Sequence, residues 1–208
     1  MKINQFKYLF FDFDGVIKES VNLKAEVFAT LFKSYGQAFS KKVYDHHLIN
    51  GGMSRYEKIA LYLSWVNENN DSHVEEFCNK FSHIVKNKVI NSSWVPGIEK
   101  FLYKNRYEQS FFLLSATPQK ELEEICQSLN LTNTFSRIIG WPTSKSEAIS
   151  KIMHEYRILP ENSLMIGDYM SDLEAAKKNK ISFLLRRHEF NSRVEIDDSV
   201  KVIENFIF

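Results

Sequence analysis

Hydrophobic and polar residues follow two different patterns along the chain. The short apolar run Tyr8–Phe11 is typical of a strand that is buried on both faces of a sheet. After Gly15 the apolar spacing becomes helical and no strand-like run occurs up to residue 92. This part of the sequence predicts four helices, at about residues 22–35, 41–49, 55–67 and 73–89.

From Trp94 onward the pattern alternates between strands and helices. Pro96 and Gly97 break the chain just before the first of these helices. The predicted order is helix 98–104, strand 110–114, helix 119–129, strand 137–139, helix 146–156, strand 163–166, helix 172–179 and strand 181–185. Successive βα units favour an α/β fold with a parallel sheet and helices on both faces. We expect the first strand to join this sheet, so that residues 1–15 and 93–208 form the core domain and residues 16–92 an inserted α-helical cap domain. Residues 201–208 are predicted to be a last strand or a docked tail.

Composition and charge exclude several classes of protein. The chain has 208 residues, of which 44% are hydrophobic, enough for a sizeable core. Its 27 basic and 26 acidic residues nearly cancel, so no broad attraction to nucleic acid or anionic membranes is expected. Cys78 and Cys126 lie far apart without a CxxC pattern, which predicts reduced thiols rather than a zinc site or a disulfide. No run approaches the roughly 20 apolar residues of a membrane span, and we expect a soluble cytoplasmic protein.

Polar residues follow four of the predicted strands at the points where those strands end. The four signals are Asp12-x-Asp14-Gly15, Ser115-Ala116-Thr117-Pro118, Lys145, and Gly167-Asp168-x-x-x-Asp172. Ligands of open parallel sheets bind beyond the carboxyl ends of the strands, so these side chains are expected to meet. Two carboxylates on one side of a strand end repel each other and need a cation or a proton to compensate their charge. We expect a hard metal ion to do so.

Each signal also has a plainer interpretation when it is taken alone. Asp-x-Asp-Gly occurs in solvated turns and resembles part of a calcium loop. Thr117 and Pro118 are suited to starting a helix. Lys145 lies inside Ser144-x-x-Glu147, a capping-box pattern, and Gly167-Asp168 could be an ordinary turn. Only the ordered set of four is specific.

In this order the set resembles the signature of the haloacid dehalogenase-like superfamily of phosphohydrolases, whose core is a Rossmann-like sheet. The resemblance implies a Mg²⁺ cofactor and a phosphorylated aspartate as intermediate. The resemblance implies that Asp12 is the nucleophile and a metal ligand, and that Asp14 is the general acid and base and a metal ligand through its main-chain carbonyl. It implies that Lys145 neutralises phosphate charge, that Asp168 is a metal ligand and that Asp172 is a second acidic support. The implied phosphate-binding residues are Ser115, Ala116, Thr117 and Gly15. The inserted helices match the cap position of the phosphoglycolate phosphatase and β-phosphoglucomutase branch. Glu19-Ser20 departs from the aspartate that many relatives have before this serine.

The most distinctive stretch of the insertion is 51–58, which is similar to the specificity loop of that branch. Its two glycines allow a tight loop, and Ser54 with Glu57 forms a capping-box pattern. Arg55 is expected to pair with substrate oxygens, with Lys58 as a weaker candidate; the alternative is that Arg55 is a solvated cation. His46 and His47 are predicted to lie at the surface or an interface.

The sequence therefore predicts a magnesium-dependent phosphatase for a small phosphorylated metabolite, with sugar phosphates as one candidate class. A phosphosugar mutase of the β-phosphoglucomutase type is the alternative, because it shares the same intermediate. A catalytically idle binding module is disfavoured because every charged role is filled. The expected partner is a small-molecule phosphate ester, with no nucleic acid and no membrane, and the chain is expected to be a monomer or a homodimer.

Overall fold

A computed structural model of the protein describes residues 2–207. Its sheet has six parallel strands in the order β3-β2-β1-β4-β5-β6. The strands are β1 Tyr8–Phe11, β2 Ser110–Pro118, β3 Arg137–Trp141, β4 Ser163–Gly167, β5 Ser182–Arg186 and β6 Lys201–Ile203. The first strand is central, since Phe11 pairs with Leu113 of β2 and with Ile166 of β4. The predicted parallel α/β sheet is confirmed, and the C-terminal stretch contributes a short edge strand.

Eight α-helices surround or extend from this sheet in the described residues. They are α1 Val21–Leu31, α2 Gln37–Ile49, α3 Arg55–Ser64, α4 Asp71–Asn91, α5 Ile98–Lys104, α6 Gln119–Ser128, α7 Lys145–Glu155 and α8 Met170–Lys178. The predicted insertion of four helices between β1 and the rest of the sheet is therefore present. No helix in residues 2–207 combines the length and apolar character needed to cross a bilayer.

Both faces of the sheet are covered because successive strand residues point to opposite sides. Phe10 packs in an apolar cluster with residues of α7 and α8, whereas Leu9 and Phe11 belong to the larger cluster on the other face. All three side chains are fully buried. The near-continuous apolar run of β1 is explained by this burial on two sides.

The larger cluster continues from the sheet into the inserted helices. Phe28 of α1 and Phe81 of α4 pack inside it with ring centroids 4.1 Å apart. Trp65, Phe77 and Trp94 pack against it as partly buried residues. Because one apolar cluster spans both parts, the division into a core and a cap domain stays a prediction.

Some element boundaries differ from the predicted ones. Strand β2 continues to Pro118, beyond the predicted end at Leu114, with a register shift against β3 between these two residues. Helix α7 begins at Lys145 because the Ser144 hydroxyl accepts the Glu147 N–H and caps the helix. Cys78 and Cys126 are buried and free, as predicted.

Candidate active site

Three carboxylates meet at the carboxyl edge of the sheet. Asp12 follows β1, Asp168 follows β4, and Asp172 lies in the first turn of α8. One oxygen of each lies within 4.8 Å of one oxygen of the other two, and all three residues are buried. Like charges held this close in low-dielectric surroundings require compensation by protons or cations.

Lys145 supplies part of that compensation. Its Nζ lies 2.9 Å from Asp12 Oδ2 and 2.5 Å from Asp172 Oδ1. Burial favours the neutral amine, but the two carboxylates outweigh it and raise the pKa of Lys145 above its usual value. Burial raises the pKa of Asp12 to about 7, against the lowering effect of Lys145. The capped start of α7 thus places a permanent cation between two of the carboxylates.

Asp14 makes different contacts from Asp12. Lys24 Nζ donates to its Oδ2 at 2.5 Å, and Ser20 Oγ donates to its Oδ1 at 2.5 Å. Burial disfavours the charged carboxylate, but Lys24 and the Ser20 hydroxyl outweigh it and lower the pKa of Asp14. Lys24 also donates to Thr117 Oγ1 at 3.0 Å. Asp14 is therefore held as an ionised carboxylate by these two contacts.

Sequence reasoning missed Lys24. The signal was present in the helical pattern of α1, because Lys24 and Phe28 are four residues apart on its buried face. A lysine on the apolar face of a helix needs a partner, and Asp14 is that partner.

His188 is a second residue that sequence reasoning missed. Its Nε2 lies 2.9 Å from Asp168 Oδ2, while Asn191 Nδ2 donates to the Asp168 carbonyl at 2.8 Å. Burial raises the pKa of Asp168 to about 6, partly offset by the hydrogen bond with His188. His188 follows β5, so the rule that polar residues at strand ends converge would have found it if applied to the fifth strand.

Gly15 is required by the close packing around Asp168. Its φ is +73°, in the left-handed region that favours glycine, and a Cβ there would collide with the Asp168 carboxylate and touch His188 Nε2. The predicted phosphate-binding glycine thus lets the first loop approach the Asp168 carboxylate.

The predicted phosphate-binding segment lies at the end of β2. Ser115 is buried and its Oγ accepts the Thr117 N–H at 3.1 Å. Ala116 and Thr117 line the same cavity as Asp12 and Asp14. The structure therefore brings this segment next to the carboxylates, where its N–H and hydroxyl groups could bind an anion.

Arg55 makes contacts that differ from both sequence-based interpretations. Its guanidinium forms two hydrogen bonds with Glu121 of α6, at 2.8 and 2.5 Å, and donates to Ser82 Oγ. Arg55 is only 6% exposed, so the solvated-cation alternative is wrong. Substrate contact by Arg55 stays a prediction, but Glu121, which no local sequence pattern linked to Arg55, engages its guanidinium.

His47 corrects another expectation. It is buried rather than at the surface, and its Nδ1 lies 3.0 Å from Lys58 Nζ. The i, i+4 spacing of Val43 and His47 places both on the inward face of α2, which explains the burial.

Glu19, the departure from the family pattern, forms an ion pair with Arg186 through two hydrogen bonds of 2.9 and 2.5 Å.

The glycines of the inserted loop cover the site. A Cβ on Gly51 would press against the Tyr169 ring, and one on Gly52 would collide with Ser171 Oγ. Tyr169 follows Asp168 directly and Ser171 lies in the first turn of α8, so the insertion contacts the segment that follows this carboxylate. The resulting cavity is lined by Asp12, Asp14, Asp168 and Lys145 from the core and by His47, Arg55 and Lys58 from the insertion.

Comparisons with known proteins agree with this geometry. The family model described as haloacid dehalogenase-like hydrolase matches residues 9–185. The chain belongs to the haloacid dehalogenase-like hydrolase family. This match spans β1 to β5 and therefore includes the inserted helices and all four strand-end signals.

One curated relative and several solved structures resemble this family member. The chain is 25% identical to a phosphorylated carbohydrates phosphatase of Thermotoga maritima, over 80% of this chain and 78% of the relative. CbbY from Rhodobacter sphaeroides, solved with phosphate, superposes with a TM-score of 0.76 at 15% identity, covering 97% and 95% of the two chains. A β-phosphoglucomutase from Clostridium difficile gives a TM-score of 0.71 at 17% identity, covering 97% and 92%. These structural matches establish the shared fold.

Proposed function

We propose that this protein is a magnesium-dependent phosphatase that transfers the phosphoryl group of a small phosphorylated metabolite to Asp12 and then to water. The observation that carries the proposal is the buried set of Asp12, Asp168 and Asp172 with Lys145 between two of them. Membership of the hydrolase family and the phosphatase among its relatives support the same reaction class.

The carboxylate set fits Mg²⁺. This ion prefers oxygen ligands and needs few from the protein, since it retains several waters. Asp12, Asp168 and the main-chain carbonyl of Asp14 would hold it. Asp172 suits a supporting role because Lys145 donates to its Oδ1 and the Tyr169 N–H donates to its Oδ2 at 3.1 Å. When bound, Mg²⁺ neutralises charge on the transferred phosphoryl group and reduces its repulsion of the attacking carboxylate.

Asp12 is held in position for attack on phosphorus. Its Oδ1 accepts the Phe13 N–H at 2.7 Å and its Oδ2 is paired with Lys145. In the first step an Asp12 oxygen forms a bond to phosphorus while the bond from phosphorus to the ester oxygen breaks. Lys145 and the hydroxyl and N–H groups after Ser115 oppose the negative charge that develops.

Asp14 handles the protons in both steps. It protonates the leaving ester oxygen in the first step and takes a proton in the second from the water that attacks phosphorus. Its ion pair with Lys24 keeps Asp14 ionised, which is the state from which it can accept a proton. The donating role requires Asp14 to acquire a proton, which the loss of the Lys24 contact would favour.

A phosphate-release screen with and without Mg²⁺ tests the proposal. The substrates are sugar phosphates, short phosphorylated acids and nucleoside monophosphates, and Asp12→Asn is measured beside Asp45→Asn. Asp45 lies in α2 with a half-exposed side chain that pairs with Lys41, so it controls for the loss of a carboxylate. We expect Mg²⁺-dependent release that only Asp12→Asn abolishes.

Two results would change the assignment. Release that survives Asp12→Asn would remove the proposed nucleophile. Conversion of one sugar phosphate into its isomer, with no free phosphate, would instead identify the phosphosugar mutase.

A further inference from the structure

His188 holds one oxygen of the Asp168 carboxylate. Its side chain is only 7% exposed and lines the cavity that contains Asp12. Nδ1 accepts the Phe190 N–H at 3.2 Å, which places the ring proton on Nε2. Nε2 therefore donates to Asp168 Oδ2, 2.9 Å away. None of the four strand-end signals in the sequence includes this histidine.

The turn that carries His188 also holds the main chain of Asp168. Asn191 Nδ2 donates to the Asp168 carbonyl at 2.8 Å and to the Arg186 carbonyl at 2.8 Å. Asn191 is buried, and its Oδ1 accepts the His188 N–H at 2.8 Å. Residues 188–191 thus form an internally bonded turn that contacts Asp168 at two points. The carboxylate can rotate only by breaking its hydrogen bond with the imidazole.

These contacts leave the other oxygen of Asp168 to a ligand. Within the part of the chain that the structure describes, Asp168 Oδ1 forms no hydrogen bond and no ion pair. Asp12 differs, because the Phe13 N–H and Lys145 engage its two oxygens. The terminal torsion of an aspartate is soft, so without His188 the Asp168 carboxylate could turn either oxygen, or both, toward a cation.

We propose that His188 is a positioning residue that makes Asp168 a one-oxygen ligand and thereby favours Mg²⁺ over Ca²⁺. Mg²⁺ demands a near-ideal octahedron and few protein ligands, whereas Ca²⁺ takes about six to eight oxygens and accepts both oxygens of one carboxylate. A carboxylate whose Oδ2 is occupied by an N–H suits the first ion better. The inference rests on the proposed function, because that proposal assigns Asp168 to the metal.

Calorimetric titration of the metal-free protein with MgCl₂ and with CaCl₂, in the absence of substrate, tests the proposal. The measured quantities are the two Kd values and their ratio. His188→Leu removes the N–H donor, and His188→Met is a second such variant in case the first does not fold. His188→Gln keeps a donor, because its side-chain amide carries N–H groups. Glu189→Gln is the control, since Glu189 is an exposed residue of the same turn.

Loss of the donor should affect the two ions differently. His188→Leu and His188→Met should weaken Mg²⁺ binding by about 10- to 100-fold, the usual effect of removing a hydrogen bond to a metal-ligating group. Ca²⁺ binding should weaken by about threefold or less, because Ca²⁺ can use both oxygens of the released carboxylate. His188→Gln and Glu189→Gln should keep the wild-type ratio. Mere loosening of the structure would weaken both ions alike.

The tautomer of His188 gives a readout that does not depend on metal binding. Nitrogen–proton correlation spectra of the imidazole identify the ring nitrogen that carries the proton. We expect the proton of His188 on Nε2 in the metal-free protein. A proton on Nδ1 alone would overturn the proposal, because Nε2 could not then donate to Asp168.

The outcomes separate this inference from the proposed function. If His188→Leu and His188→Met weaken both ions by the same factor, or leave both Kd values unchanged, the positioning role is overturned and the phosphatase stands. Failure of His188→Gln to keep the wild-type ratio also overturns it. Absence of Mg²⁺ binding to the wild-type protein, together with phosphate release that does not depend on Mg²⁺, overturns both proposals.

Discussion

The ion pair between Arg55 and Glu121 predicts a large loss of stability in Glu121→Gln. The pair joins α3 of the insertion to α6 of the core, and both side chains are less than 10% exposed. Arg55 also lies over the Phe81 ring, at 4.7 Å from its centroid. The substitution leaves the guanidinium buried without its counter-charge, which costs roughly 3 to 5 kcal/mol in the free energy of unfolding.

Chemical and thermal unfolding measure this loss. In a chain of this size each kcal/mol lowers Tm by about 2 to 4 °C, so the expected drop is roughly 6 to 20 °C. Glu124→Gln is the matched control, because Glu124 lies on the same helix and pairs with Lys86 of α4 across the same boundary, but with both side chains about 40% exposed. That exposed pair is expected to contribute little.

Activity measurements give a second readout of the same variant. If Arg55 holds the insertion against the core, Glu121→Gln lowers kcat/KM by a similar factor for every ester. The reasoning is refuted if Glu121→Gln is no less stable than Glu124→Gln. A loss confined to one substrate would return Arg55 to the substrate-contacting role.

Three further predictions concern the carboxylate cluster. Asp168→Ala should raise the Mg²⁺ concentration needed for half-maximal activity more than Lys145→Ala does, because it removes a metal ligand; equal values in a Mg²⁺ titration would contradict the assigned roles. The raised pKa values of Asp12 and Asp168 mean that these two carboxyl groups bind more protons in the metal-free fold than in the unfolded chain between about pH 4 and 7, so their contribution lowers Tm as pH rises through this range, while His47, whose pKa is lowered, contributes in the opposite sense. Mg²⁺, which binds the ionised carboxylates, should restore the lost stability at pH 7 and above. Thermal melts whose pH dependence is the same with and without Mg²⁺ would argue against a metal at this site. Gly15→Ala should weaken Mg²⁺ affinity, since its Cβ displaces the Asp168 carboxylate, and calorimetry showing wild-type affinity would count against the packing argument.

The sheet and the strand-end carboxylates could be predicted because their causes are local. Apolar runs such as Tyr8–Phe11 specify buried strands, and the parallel order brings the ends of β1 and β4 together whatever the details of packing. Asp12 and Asp168 were therefore placed near each other by topology alone.

Pairings between the insertion and the core could not be predicted in the same way. Arg55 and Glu121 are 66 residues apart, and the local sequence around either residue does not predict a contact with the other. Lys24 and Asp14, by contrast, are ten residues apart, and the buried face of α1 was visible in the sequence. The surface position predicted for His47 is wrong. A histidine in a polar helix is usually exposed, but the spacing of His47 from Val43 puts it on the inward face.

The central claim is that Asp12 receives the phosphoryl group. The most direct measurement is rapid acid quenching of the protein during turnover of its best substrate with Mg²⁺, followed by mass spectrometry of the peptide that contains Asp12. The account predicts one added phosphoryl group on Asp12 in the wild-type protein and none in Asp12→Asn, which remains folded. A phosphoryl group on any other residue, or wild-type turnover by Asp12→Asn, would contradict it.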